Sequence, residues 1–309
     1  DKANVQCAGK KGGVIAGFLG HNDNELKGHC INVVIKNSVV NSEAMAGVFA
    51  AQGDNIGTLS DCSVIDTEIT STNARVGGFI GSVVEFDEIS DCYAENVTVT
   101  SGSYYAGGFV GQLSGGGTVS GCHSTGSVSS TANYSRSGGL VGILIDGTVD
   151  NCYSTCDVTA TNGRYIGGLI GQVDKGTVRK SHATGSVTTP NHYAGGLIGL
   201  VNGDLNVSQC YATGNVGNAS NNRRGGLIGN IDKGTTTVSN CYATGTITSK
   251  SYSGGFIGGT EEAAKVNVTN SYTKSSISGH EDAACVFCGQ YKATFTCTGF
   301  IGWNVSNRK

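Results

Sequence analysis

Proline occurs once in the 309-residue chain, methionine and tryptophan once each, and only 14% of residues are charged. Each scarcity excludes something. Proline cannot donate to a strand ladder, so a chain nearly free of it leaves its backbone donors available for pairing throughout. The 20 Lys and Arg against 23 Asp and Glu give a net charge of −3 and no basic block, so no nucleic-acid partner is expected. No apolar run approaches the ~18 residues of a membrane-crossing helix, and no span is expected. Nor does any window hold a 3.6-residue apolar period, which predicts that helices are nearly absent.

Glycine and cysteine are abundant instead, with 50 and 12 copies. Twelve cysteines are many for a reducing compartment. With Asp1 as the first residue and no signal peptide, they give the expectation of a mature extracellular or cell-surface product. Six Asn-x-Ser/Thr sequons, at Asn96, Asn133, Asn206, Asn218, Asn267 and Asn304, permit N-glycosylation without requiring it.

The string Gly-Gly-Leu/Phe-Ile/Val-Gly recurs with its second glycine position at Gly17, Gly47, Gly78, Gly108, Gly139, Gly168, Gly196, Gly226 and Gly255, always 28 to 31 residues apart. The first two copies are degenerate, and a tenth, Ala284-Cys285-Val286-Phe287-Cys288, follows at the C-terminal side. Short β-branched runs between Asp/Asn/Gly turns read as strands. Units of about 30 residues with two or three such strands bury their apolar faces by coiling and stacking. The expected fold is all-β: a single right-handed parallel β-helix, or β-solenoid, of about ten ~30-residue coils, some 48 Å long. A propeller is the rival, but four strands per blade scarcely fit into 30 residues. Residues 1–309 are read as one continuous repeat domain, with atypical coils over 1–45, regular repeats over 46–280 and a Cys-rich capping or assembly segment over 281–309.

The recurring Gly-Gly-Leu-Ile-Gly followed by Cys-Tyr-Ala-Thr-Gly, as at Cys210–Gly214 and Cys241–Gly245, resembles the GLUG-motif repeat of secreted and surface proteins, many of them adhesin-like. Some relatives carry the repeat beside a zinc endopeptidase domain. The nearest string here, His280-Glu281-Asp282-Ala283-Ala284, lacks the second His of His-Glu-x-x-His, so no metalloprotease is expected.

Stacking in register turns each repeat position into a column with rungs ~4.8 Å apart. One column is Cys30, Cys62, Cys92, Cys122, Cys152, Ser181, Cys210, Cys241 and Ser271, read as buried free thiols, because disulfides need Cβ atoms closer than stacked rungs bring them. Cys285, Cys288 and Cys297 lie off that column, where a bridge closing the C-terminal coil is expected. One residue on, Ser63, Tyr93, His123, Tyr153, His182, Tyr211, Tyr242 and Tyr272 form an outward column. It either pins the register by ring stacking or offers a sugar-binding strip. Two residues before each Gly-Gly, Arg75, Tyr105, Arg136, Tyr165, Tyr193, Arg223 and Tyr252 suit cation–π stacking and make a second surface for glycans or partner proteins.

A hydroxyl array runs through Thr98-Val99-Thr100, Ser127-Val128-Ser129 and their equivalents, but Asp157, Asn215 and Gly217 break the regular lattice that ice binding needs. The Leu-Ile pair of each motif points to opposite faces, so that strand needs a second layer over it, and the segment before each Gly-Gly is expected to provide it. Polysaccharide-active β-helix enzymes need clustered carboxylates on one face. Here acids lie in turns (Asp146, Asp174, Asp232) or singly (Asp61, Asp91, Asp150), and no cofactor, metal or catalytic residue is expected. What remains is a non-catalytic extracellular rod. It is read either as a head-to-tail filament subunit with an adhesive role or as a monomeric adhesin that binds glycans or cell-surface proteins through its columns.

Overall fold

The computed structural model describes residues 4–7, 11–20, 27–102, 104–190, 193–218, 223–278, 284–302 and 305–306. Among these there is no helix. Three sheets of 18, 16 and nine strands run the length of the molecule as three walls. One coil shows the path. Tyr165–Gly167 lies in the nine-stranded wall, Ile170–Val173 and Gly176–Arg179 in the 16-stranded wall, and His182–Ala183 and Val187–Thr188 in the 18-stranded wall. Each strand pairs in parallel with its equivalent in the next coil, so that Val128, Val158, Val187, Val216 and Ile247 make one buried column. The molecule is a parallel β-solenoid. The narrow wall has nine strands rather than ten: the first coil meets it through the isolated bridge Gly12 to Ala46, and the copy at Ala16–Gly20 lies in the 16-stranded wall instead.

The alternation of the sequence explains the interior. In Thr98-Val99-Thr100, for example, Val99 is fully buried between an exposed and a half-buried threonine. A second set of strands is buried on both faces: Ile166, Leu169, Ile170 and Val173 are all sealed from solvent. The cover is the strand that precedes each Gly-Gly. It turns back at Gly168-Leu169, and a Cβ on Gly171 would lie 2.5 Å from the Gly142 carbonyl oxygen and 2.6 Å from the Ser137 nitrogen. A Cβ on Gly168 would run into the carbonyl oxygen of Gly196, its equivalent in the next coil. The glycines are thus a seam along which two backbone layers touch, a contact no larger residue permits.

The corner before each thiol is turned by a residue in the left-handed region: Asp61, Asp91, Gly121, Asn151, Lys180, Gln209, Asn240 and Asn270, with φ between 47° and 62°. Asn and Asp tolerate this conformation better than other side chains. Turn chemistry therefore accounts for Asp61 and Asp91.

Three expectations about register are corrected. Gly47 pairs with Gly77 and Ala16 with Ala50, so the degenerate copies stand one and four residues away from where Gly-Gly matching puts them. Phe49 is held over Phe79 instead, ring on ring. Cys30 pairs with Leu59, and Val33 starts the thiol column. At the other end Cys285 takes the place of Gly254, and Cys288 that of Ile257 rather than a glycine. The second and last copies keep an aromatic at the third position, Phe49 and Phe287, and lose the glycine that marks the second; in the first coil Ile15 stands at that third position.

Candidate functional site: the side-chain columns and the two ends

Tyr93, His123, Tyr153, His182, Tyr211, Tyr242 and Tyr272 follow one another in strict register on the 18-stranded wall, starting from the buried Ser63. The left-handed corner puts the thiol inward and the next residue outward, which fixes every ring to the same side. Centroids are 4.4–5.2 Å apart with planes within 3–9° of parallel. Both faces of each inner ring are taken by its neighbours, and only ring edges meet solvent. Burial holds the His123 and His182 imidazoles below their ordinary pKa. Protonation would place a partly desolvated charge in the stack.

Arg75, Tyr105, Arg136, Tyr165, Tyr193, Arg223 and Tyr252 form the second column, at the outer rim of the narrow wall. The Arg136 guanidinium lies 5.2 Å from the centres of both the Tyr105 and Tyr165 rings; Arg75 is 5.9 Å from Tyr105 and Arg223 5.3 Å from Tyr193. Tyr165 and Tyr193 meet at 5.6 Å, and Tyr252 continues the column with φ of 49°. Beneath the arginines runs a row of buried amides that sequence reasoning missed. Arg136 Nε donates to Gln172 Oε1 at 2.6 Å, Arg75 Nε to Gln112 Oε1, and Gln172 passes its own amide hydrogen to Asp174. The signal was available, since both glutamines directly follow the last glycine of their motif. At the far end Arg223 pairs with Glu261 and donates to the Tyr193 hydroxyl at 3.0 Å, and Lys292 also binds Glu261 at 2.9 Å. Burial works against the Glu261 charge, but Lys292 and Arg223 hold its carboxyl below the usual range.

The thiols of Cys62, Cys92, Cys122, Cys152, Cys210 and Cys241 are free and buried, each donating to the carbonyl two residues before it at 3.1–3.3 Å. Burial pushes the Cys62 and Cys156 thiols up to about 11, which keeps them protonated and unreactive. The expected bridge among Cys285, Cys288 and Cys297 is not formed. Cys288 is buried and donates to the Gln290 carbonyl at 3.2 Å, whereas Cys285 and Cys297 are exposed and free. Of the sequons, Asn96, Asn133, Asn206 and Asn218 are exposed and Asn267 is half-buried; Asn304 lies outside the described residues. His280 to Ala283 lie outside them too. Among the described residues no three His, Cys, Asp or Glu side chains gather as a metal cluster. The acids singled out in the sequence are spread along the turns, with Asp146 paired to Lys175 at 3.0 Å and Asp150 to Arg179 at 2.8 Å.

The ends differ from the walls. Of the large apolar side chains left exposed, Ile15, Ile31 and Val34 lie on the first coil and Tyr291 and Ile301 on the last. The core itself opens there, with Val14, Leu19, Val33, Phe287, Phe295 and Phe300 only partly covered.

Stacked coils, side-chain columns and a glycine seam define this as a β-solenoid repeat protein. The family model of the GLUG motif matches five segments, residues 72–100, 102–129, 133–159, 162–188 and 220–248. The chain is a GLUG-motif repeat protein. No curated protein and no solved structure matches it.

Proposed function

We propose that this chain is a non-catalytic, extracellular structural protein, a subunit that joins head to tail into a surface filament with an adhesive role. One observation carries the reading: the side-chain columns along the walls are occupied by one another, whereas the two ends leave core residues uncovered. Ring faces on the walls stack on each other, and the guanidinium groups are spent on tyrosine rings, amides and Glu261. Among the described residues, the end strands of all three walls have partners on one side only, and the ends carry five of the eight exposed large apolar side chains. Open edges of parallel strands recruit further strands, and a heterologous contact that does not close makes a fibre.

Sedimentation over a concentration series, with electron microscopy of the same samples, tests this. Fibres or end-to-end species that grow with concentration are expected, and a strict monomer throughout overturns the reading. Exposed Tyr104 and Tyr134, close to a surface cleft of about 300 Å³ lined by Asn73, Ala74 and Asn133, favour the second reading, a monomeric adhesin that binds glycans or proteins laterally. Glycan-array binding that is lost in Tyr134→Ala, by a chain that stays monomeric, would establish that one instead.

A further inference from the structure

The two rims of the solenoid are the two halves of a single interface. Within the rod, the far edge of each coil bonds in parallel to the near edge of the next, in all three walls. Among the described residues, the strand at Thr294–Thr298 has its partner on one side only, the strand at Ile257–Thr269, and the strand at Gly28–Ile31 likewise pairs only with Ala50–Ser60. These two strands are opposite margins of one sheet and carry the same columns. The column that starts at Cys30 passes through Leu59, Ile89, Val119, Val149, Val178, Val207, Val238 and Val268 and ends at Cys297. The column from Val34 ends at Ile301, and the one from Val33 ends at Phe300.

We propose that two copies join in continuous register, with the coil carrying Cys297 seated on the coil carrying Cys30 of the second copy. This rests on the filament reading and deepens it by fixing which rung meets which. Apolar meets apolar at the junction. Ile301, 55% exposed, comes over Val34, 52% exposed, and Phe300 comes over Val33. The backbone edges that meet are those that already pair coil to coil along the rod. The partner is a second copy because it alone supplies the same three-walled cross-section with the same columns. Cys297 of one copy then stands one rung, ~4.8 Å, from Cys30 of the next. Both thiols lie at open rims, while Cys62 to Cys241 are sealed inside.

The test is thiol cross-linking of the full chain with a short bis-methanethiosulfonate, read on non-reducing gels beside sedimentation. A series of covalent dimers, trimers and longer species is expected. The yield falls at least tenfold in Cys30→Ser and in Cys297→Ser and is unchanged in Cys285→Ser, while all three variants still assemble. An equimolar mixture of Cys30→Ser and Cys297→Ser restores cross-linked dimers and nothing longer, since each copy then has one competent end; this also shows that both variants fold. Assembly without cross-linking, or cross-linking that survives either serine variant or vanishes in Cys285→Ser, overturns the register but leaves the filament reading standing. A monomer at every concentration overturns both.

Discussion

The middle coils and the last coil contain the same kinds of residue in different arrangements. In the interior, Phe49, Phe79 and Phe109 stack face to face at 4.7 and 4.8 Å. In the last coil Phe287, Phe295 and Phe300 meet edge to face, with planes 71–73° apart. An interior ring has a neighbour above and below, and both impose the same orientation. At the rim Phe287 keeps that orientation against Phe256, 16° from parallel at 6.3 Å, while Phe295 and Phe300 of its own coil close edge-on against it. Stacking from coil to coil is therefore kept at the rim, and what changes there is the packing within the coil.

The glycine seam puts this contrast under the heaviest load. Gly196→Val pushes a side chain into the Gly226 carbonyl and the Ala212 methyl. A loss of about 4 kcal/mol or more is expected, visible as collapse of the thermal transition. At the equivalent place in the last coil Val286 already carries a side chain, and Val286→Ala is expected to cost about 1 kcal/mol or less. Similar losses at both sites would break the contrast. Nothing in the structure explains why Val48, near the other end, carries a side chain at this position.

The ring column gives a finer comparison. Tyr153 has ring neighbours on both sides, at 4.6 and 5.2 Å, whereas Tyr93 has His123 at 4.9 Å on one side and Ser63 in register on the other. At ~0.5–1.5 kcal/mol per ring pair, Tyr153→Ala should destabilise by about 1 kcal/mol more than Tyr93→Ala in denaturant titrations. Equal losses would mean that the rings do not act pairwise.

Acid acts on the middle of that column alone. Because burial lowers the folded-state pKa of His123 and His182, the unfolded chain binds more protons below its own value of about 6.5. Their contribution to stability is complete above that pH and is lost as pH falls through the folded value. The melting temperature should drop between pH 7 and pH 5, and the drop should shrink in the double variant His123→Tyr, His182→Tyr, which keeps the stack. The smallest effect on stability belongs to the rim: Ile301→Lys should leave unfolding within about 0.5 kcal/mol of the parent while weakening self-association in sedimentation.

The wall was largely legible in the sequence. The 30-residue spacing located the coils, and alternation around Cys122 and His123 placed one inward and the next at the surface. The ends were harder to read. Ala46-Gly47-Val48-Phe49 keeps the first glycine of the pair rather than the second, with Gly47 on Gly77 and Phe49 on Phe79, a choice that a single glycine in the string leaves open. Cys30 looked like the start of the thiol column on spacing alone, but Asn32, at φ of 55°, turns the corner that sets the true register and makes Val33 the first rung. The amide row under Arg75 and Arg136 stayed hidden because a glutamine reads as surface until the covering strand is known.

Hydrogen bonds between coils point along the axis of the rod, since every wall is a stack of parallel strands. A pull along that axis therefore loads all the bonds of one coil at once and resists until that coil lets go. The coil that detaches then frees about 30 residues of chain, roughly 100 Å of slack, in place of ~4.8 Å of rod. Under tension such a protein would lengthen in steps of one coil, stiff between steps and yielding at each, and it would take up mechanical work without breaking its tether.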